Sequence, residues 1–117
     1  MFQAHSPASK ILDYQAALGR VGGDLELLRE IAELFQQECP RVMRDLREAL
    51  SRGDLAAAGR AAHSLKGSAA NFEAVQLVDA ALKIERLTHG GRIEEAAAAY
   101  DVLDRAVGSL LSELREV

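Results

Sequence analysis

The sequence predicts an all-α fold, specifically an antiparallel up-down four-helix bundle with a short extra helix at its N-terminus. The chain has 117 residues, of which 49% are hydrophobic, enough for one packed core. It contains three Phe, two Tyr and no Trp, so its apolar residues are mostly helix formers such as Ala and Leu. These residues recur every three or four positions in segments that short loops separate, the pattern of helices that pack side by side.

Residues 1–12 are predicted to be a flexible leader, and residues 13–117 the bundle domain. The leader lacks the apolar centre of a signal peptide, and no apolar run approaches the roughly 20 residues that cross a bilayer. We therefore expect a cytoplasmic protein with no membrane insertion. Asp13 is placed to cap the short extra helix, which is predicted over 14–20 and which a pair of glycines then ends.

The second helix is predicted from its cap at Asp24 to about Arg52. Pro40 lies inside this segment, has no backbone N–H to donate and crowds the preceding turn. We therefore expect a kink or a break between Glu38 and Pro40. One face of the segment is apolar at steps mainly of three and four residues: Leu28, Ile31, Phe35, Val42, Leu46 and Ala49.

Three more helices complete the predicted bundle. Gly53 ends the second helix, and Asp54 caps the third, which is predicted to run to about Asn71. The fourth is predicted from about residue 74 to the loop at 88–91, which contains two glycines. The last is predicted as a single helix over 92–116, because its apolar residues follow nearly a heptad pattern.

The third helix contains a histidine, His63, on its predicted solvent side. At 100° per residue, His63 lies about 130° from the middle of the buried stripe. Its side chain is therefore expected outside the bundle. The stripe itself consists of Leu55, Ala58, Ala62, Leu65, Ala69 and Phe72.

Two glycines and two cations surround His63 on the helix surface. Gly59 and Gly67 lie one turn away on either side, and each mid-helix glycine costs about 1 kcal/mol relative to alanine. The gain is room for another protein to approach the imidazole. Arg60 and Lys66 can screen or hydrogen-bond an anionic phosphoryl group, and they disfavour the imidazolium form of the ring.

Glu85 is a candidate support from the fourth helix. His63 stands about 13.5 Å of helix from the turn near Phe72, and Glu85 about 16.5 Å from Ala74, so the two arrive at similar heights in a helical hairpin. The carboxylate can accept a hydrogen bond from one imidazole nitrogen, which fixes the tautomer and makes the other nitrogen more nucleophilic. A solvated helix charge is the alternative interpretation of Glu85.

Composition argues against other classes of site. Acidic and basic residues are interspersed and the net charge is −4, which does not favour nucleic acid as a partner. Cys39 is the single cysteine, so no intramolecular disulfide forms and a reducing compartment fits. We find no Ser-His-Asp arrangement, and a metal held by His63 and Glu85 alone would have too few ligands.

The segment AHSLKGSAANF, residues 62–72, resembles the signature of the histidine-containing phosphotransfer (HPt) family, and the resemblance extends over nearly the whole chain. It implies that His63 is phosphorylated on the ring nitrogen distal to the backbone. It further implies that Lys66 steadies the phosphoryl group and that Gly67 keeps the approach open. Ser64, inside the motif, is counted as a supporting residue.

The resemblance also implies the partners. Glu85 matches a position where members place Gln or Glu near the histidine. The receiver domain of a response regulator, a hybrid sensor histidine kinase, or both would dock over the third helix and its neighbour, and the receiver would bring the aspartate and Mg²⁺. The chain itself is expected to be a monomer without cofactor, metal or autokinase activity, accepting and donating a phosphoryl group on His63. Glu73 replaces a glycine found in many members, so we expect Asn71 to be left-handed in this turn.

Two alternatives remain from the residues. A histidine kinase dimerisation domain is also helical, but that class places an acidic residue directly after the histidine, where this chain has Ser64, and no ATP-binding domain is present. A non-catalytic helical adaptor explains the periodicity but leaves Gly59 and Gly67 without a purpose.

Overall fold

A computed structural model describes residues 10–117, and this part of the chain consists of helices and connecting turns without a strand. The all-α prediction is confirmed for these residues. The predicted leader lies mostly outside them, so its extent stays a prediction. None of the described helices is long and apolar enough to cross a bilayer. The helices are α1 (Tyr14–Arg20), α2 (Leu25–Arg52), α3 (Leu55–Ala70), α4 (Val75–His89), α5 (Ile93–Ala98) and α6 (Tyr100–Leu114).

The first three helices begin at the predicted aspartates. The side chains of Asp13, Asp24 and Asp54 each accept a hydrogen bond from the backbone N–H three residues further on, at 3.0–3.1 Å. Each carboxylate satisfies a donor that has no partner within the helix. Gly53, with φ 72°, ends α2 in the left-handed conformation that glycine adopts without steric cost.

Helix α2 continues through Pro40 for its full 28 residues, so of the expected kink or break the break is not found, and the kink stays a prediction. Proline removes only one backbone hydrogen bond, the one its own nitrogen would have donated. Phe35, Cys39 and Met43 are buried on both sides of Pro40. Their packing holds the two halves of α2 against the same core.

The predicted single helix over 92–116 is wrong, because Ala99 interrupts it between α5 and α6. The Ala99 N–H is shared between the carbonyl oxygens of Glu95 and Ala96, at 3.1 Å each. The following bond, from the Leu103 N–H to the Ala99 carbonyl, is stretched to 3.5 Å. The chain tightens locally toward a 3₁₀ turn, a change that a side-chain pattern does not reveal.

Helix α3 lies between α2 and α4, and α6 packs against both α2 and α4. The predicted stripe of α3 faces this core, with only Leu55 half-buried. Phe72 meets Phe35 edge to face, with ring centroids 5.4 Å apart. The largest fully buried side chains are Phe72, Leu28, Leu46, Leu65, Leu77, Ile84, Leu103 and Leu110.

The turn between α3 and α4 uses Glu73, and not Asn71, as its left-handed residue. Asn71 has φ −59°, whereas Glu73 has φ 51°. The Arg20 guanidinium of α1 donates a hydrogen bond to the Glu73 carboxylate at 2.6 Å. The expected left-handed Asn71 is therefore wrong, because the helical conformation continues for one residue more and the reversal comes two residues later.

Both ends of the described chain lie near this turn and are held there by hydrogen bonds. The backbone N–H groups of Ile11 and Leu12 donate to the Glu113 carboxylate of α6 at 2.8–3.1 Å. The Asp13 N–H donates to the carbonyl of Phe72 at 3.2 Å. The segment before α1 thus crosses the end of the bundle where α3 turns into α4.

Candidate functional site

His63 lies in the middle of α3 with 67% of its side chain exposed. Its neighbours Ala62 and Leu65 are buried, so the helical periodicity places the imidazole on the outer face as predicted. The prediction of an exposed histidine is confirmed.

The Glu85 carboxylate of α4 bridges two side chains of α3. Oε2 lies 2.8 Å from Nδ1 of His63, and Oε1 accepts a hydrogen bond from the Lys66 ammonium at 2.7 Å. Only 13% of the Glu85 side chain is exposed, and 26% of the Lys66 side chain. The predicted contact between Glu85 and His63 is present, whereas the contact between Glu85 and Lys66 was not predicted.

The charge state of Glu85 follows from these contacts. The hydrogen bond from Lys66 holds the pKa of the Glu85 carboxyl below its usual range, and the His63 contact lowers it further, against a desolvation that raises it. An ionised carboxylate can only accept hydrogen bonds, so Nδ1 of His63 donates. In the neutral ring the proton is therefore on Nδ1, and Nε2 keeps its lone pair. Nε2 has no hydrogen-bond partner among residues 10–117.

The two predicted glycines have different surroundings. Gly59 is buried, and a Cβ atom there would lie 2.9 Å from Oγ1 of Thr88, too close for an unshifted structure. Gly59 therefore allows α3 to approach α4. The sequence had suggested that it clears a path for a partner, and this interpretation is wrong for Gly59. A Cβ atom at Gly67 would meet nothing within 4 Å, so Gly67 leaves open space beside His63.

Arg60 and Ser64, the remaining predicted residues, are both exposed on α3. Arg60 forms no ion pair within residues 10–117. Ser64 lines grooves between α2 and α3, on the opposite side of α3 from Glu85. Arg60 also lines a shallow depression, which we call the His63 depression, together with Leu55, Ala56, Gly59, His63, Glu85 and His89.

Two residues near the site were missed from the sequence, Thr88 and His89. The Thr88 hydroxyl is buried against Gly59 and donates to the Glu85 carbonyl at 2.7 Å, and His89 lines the His63 depression. The prediction ended α4 before residue 88, because two glycines follow. A helix continued to His89 puts positions 85, 88 and 89 on one face, which was the available signal.

A metal site has no support in residues 10–117, where no three His, Cys, Asp or Glu side chains are grouped to hold an ion. The site consists instead of an exposed imidazole whose inner nitrogen is held by a carboxylate. Such a group can act as a nucleophile through its outer nitrogen.

Comparisons with known proteins identify the family and the fold. A family model described as Hpt domain matches residues 30–117, well over half of the chain. The crystal structure of histidine-containing phosphotransfer protein B (HptB) from Pseudomonas aeruginosa PAO1 has the same fold, with a TM-score of 0.84 and 22% identity over 96% of this chain and 95% of that chain. No curated protein matches. Because the family model covers most of the chain, the protein belongs to the Hpt domain family, the histidine phosphotransfer domains of two-component phosphorelays.

Proposed function

We propose that His63 is the phosphorylated residue and that Nε2 is the atom that receives the phosphoryl group from a receiver-domain aspartate and returns it. The contact between Nδ1 and Glu85, at 2.8 Å, carries this proposal. It occupies the inner nitrogen and leaves the exposed outer nitrogen with its lone pair.

The transfer step exchanges one bond to phosphorus for another. The Nε2 lone pair attacks phosphorus, the bond between phosphorus and the aspartyl oxygen breaks, and the electron pair leaves with the aspartate. The Nδ1 proton stays in its hydrogen bond, so the phosphorylated ring becomes cationic. The Glu85 carboxylate stabilises that positive charge at close range, and the ring becomes neutral again when the phosphoryl group is returned.

The partner supplies the rest of the chemistry. We propose a receiver domain of a response regulator, a hybrid sensor histidine kinase, or both as partners, with Mg²⁺ bound by the receiver. The chain itself would act as a cytoplasmic monomeric carrier without autokinase activity. The free, buried thiol of Cys39 is compatible with a reducing compartment.

The helix arrangement that presents His63 is proposed to be an antiparallel up-down bundle of α2, α3, α4 and α6. Gly53 and Asp54 alone connect α2 to α3, and residues 71–74 connect α3 to α4. Connections this short favour antiparallel neighbours.

The test is labelling by the phosphorylated receiver domain of a candidate response regulator. We expect an acid-labile, base-stable label on the wild type and none on His63→Gln. The label should persist in the double variant His5→Gln/His89→Gln, which retains His63 as its only histidine. Label that survives His63→Gln contradicts the proposal. Labelling by ATP alone would favour a histidine kinase dimerisation domain.

A further inference from the structure

We infer that Arg60 is the side chain that binds the phosphoryl group on His63, whereas Lys66 acts by positioning Glu85. The inference rests on the proposed phosphorylation of His63. It divides between two residues a role that the family resemblance assigns to Lys66 alone.

The Lys66 ammonium already has a partner. It donates to Oε1 of Glu85 at 2.7 Å, and both side chains are largely buried. The ammonium has three donors, and the one that bonds Glu85 is held there, because drawing it away would leave the Glu85 carboxylate, 13% exposed, with only the imidazole as partner. Removing one partner of a partly buried ion pair is unfavourable, because the remaining charge has lost part of its hydration. Lys66 is therefore more stable where it is, fixing the carboxylate that orients His63.

Arg60 is available for the phosphoryl group. It lies one helical turn before His63, is exposed, and lines the His63 depression with it. The carboxylates of Asp45 and Glu48 line a separate depression on the other side of Arg60, but neither forms an ion pair with it. No intramolecular bond within residues 10–117 has to break before the guanidinium can bind an anion.

The position of Arg60 on the helix supports this assignment. Arg60 and Gly67 are seven residues apart, so they project within about 20° of each other. A Cβ atom at Gly67 would meet open space, so this direction faces solvent. Arg60 and His63 both line the His63 depression, so a phosphoryl group on Nε2 comes within reach of the planar guanidinium, which can donate two parallel hydrogen bonds to its oxygens.

The experiment uses phosphoramidate as donor, so that no partner protein is needed. The Nε2–phosphorus bond forms, the phosphorus–nitrogen bond of phosphoramidate breaks, and ammonia leaves. We expect Arg60→Gln to lower the phosphorylation rate or the lifetime of phosphohistidine by roughly ten-fold, the effect of one charge-assisted hydrogen bond. Arg60→Lys should restore part of the lost rate or lifetime. The matched control is Arg105→Gln on α6, which removes the same charge outside the His63 depression.

A second measurement separates Arg60 from Lys66. In the unphosphorylated protein, ¹⁵N NMR of the His63 ring should change in Lys66→Gln, because Glu85 loses its partner, and should stay unchanged in Arg60→Gln. Lys66→Arg should restore the wild-type ring signals. In the phosphorylated protein, the ³¹P signal should shift in Arg60→Gln.

Several outcomes would overturn the inference. One is an Arg60→Gln variant with the phosphorylation rate, phosphohistidine lifetime and ³¹P shift of the wild type. Another is an equal loss of rate or lifetime in Arg105→Gln, because the effect would then come from net charge and not from the position of Arg60. If circular dichroism shows that Arg60→Gln is misfolded, Arg60→Lys is used in its place. Phosphorylation kinetics and a ³¹P shift of Arg60→Lys that equal those of the wild type would reject a specific guanidinium contact. A label on a residue other than His63 is a different failure, since it rejects the proposed function itself.

Discussion

The two sides of α3 around His63 differ in their surroundings, although their sequences look alike. Gly59 and Lys66 are seven residues apart on the side that faces α4, where one packs against Thr88 and the other pairs with Glu85. Arg60 and Gly67 are also seven residues apart, on the side that faces solvent. Each side therefore holds one glycine and one cation. The side facing α4 orients the imidazole through Glu85, and in the proposed function the side facing solvent receives the phosphoryl group.

A substitution by valine at the two glycines tests this difference most strongly. Gly59→Val should lower the free energy of unfolding by about 2 kcal/mol, because the added atoms collide with Thr88. Gly67→Val, the matched control, should change it by less than about 0.5 kcal/mol, because the position is open. Urea denaturation followed by circular dichroism measures both. Equal losses at the two positions would contradict the assignment of Gly59 to packing.

The Glu85→Gln substitution probes the side facing α4. It should destabilise the protein by about 1.5 kcal/mol at pH 7, since Lys66 and His63 lose an anionic partner. The pKa of Glu85 is lower in the folded protein, so its contribution is present above the unfolded pKa and is lost as the pH falls through the folded one. The difference between wild type and variant should therefore shrink below about pH 4. A difference that is constant from pH 7 to pH 3 would show that the charge of Glu85 contributes nothing.

The turn at the end of the same hairpin provides a smaller test. Glu73 has φ 51°, a conformation that costs a residue with a side chain about 1 kcal/mol relative to glycine. Glu73→Ala and Glu73→Gly both lose the ion pair with Arg20, but only the glycine variant also loses the backbone strain. We expect Glu73→Gly to be about 1 kcal/mol more stable than Glu73→Ala in thermal unfolding. Equal stability would mean that the turn relaxes to another conformation.

The Gly67→Ala substitution has the smallest expected effect on stability and separates stability from function. Alanine in a helix is more favourable than glycine, and nothing contacts the new methyl group, so stability should rise by about 0.5 kcal/mol. Transfer from a phosphorylated receiver should nevertheless slow, because the methyl group occupies the approach to His63. Unchanged transfer kinetics would show that the partner does not use this space.

The sequence predicted those parts of the molecule that local rules control. Asp13, Asp24 and Asp54 cap helices because a carboxylate there satisfies a free backbone donor, whatever the rest of the chain does. The exposure of His63 follows from its position relative to a regular apolar stripe. Even its contact with Glu85 could be predicted, because helix rise fixes the heights of two residues in a hairpin.

The remaining features depend on contacts between helices, which the local pattern does not contain. Gly59 and Gly67 cannot be distinguished until α4 is in place, because the reason for Gly59 is a threonine on another helix. The Lys66 contact with Glu85 needs the same neighbour. The interruption at Ala99 is a matter of backbone hydrogen bonding in a run of alanines, whose side chains are identical.

Residues 11–13 and α6 contact each other beside the turn between α3 and α4, so both ends of the described chain lie far from His63. His63 lies about 13.5 Å of helix away from Phe72 in that turn, in the middle of α3. Leu12 and Val117 lie at that end of the bundle, beside Glu113 and Arg29 respectively. We therefore expect that a protein tethered at either end of residues 10–117 leaves the His63 depression accessible, so that attachment and the proposed phosphoryl exchange do not compete for the same surface.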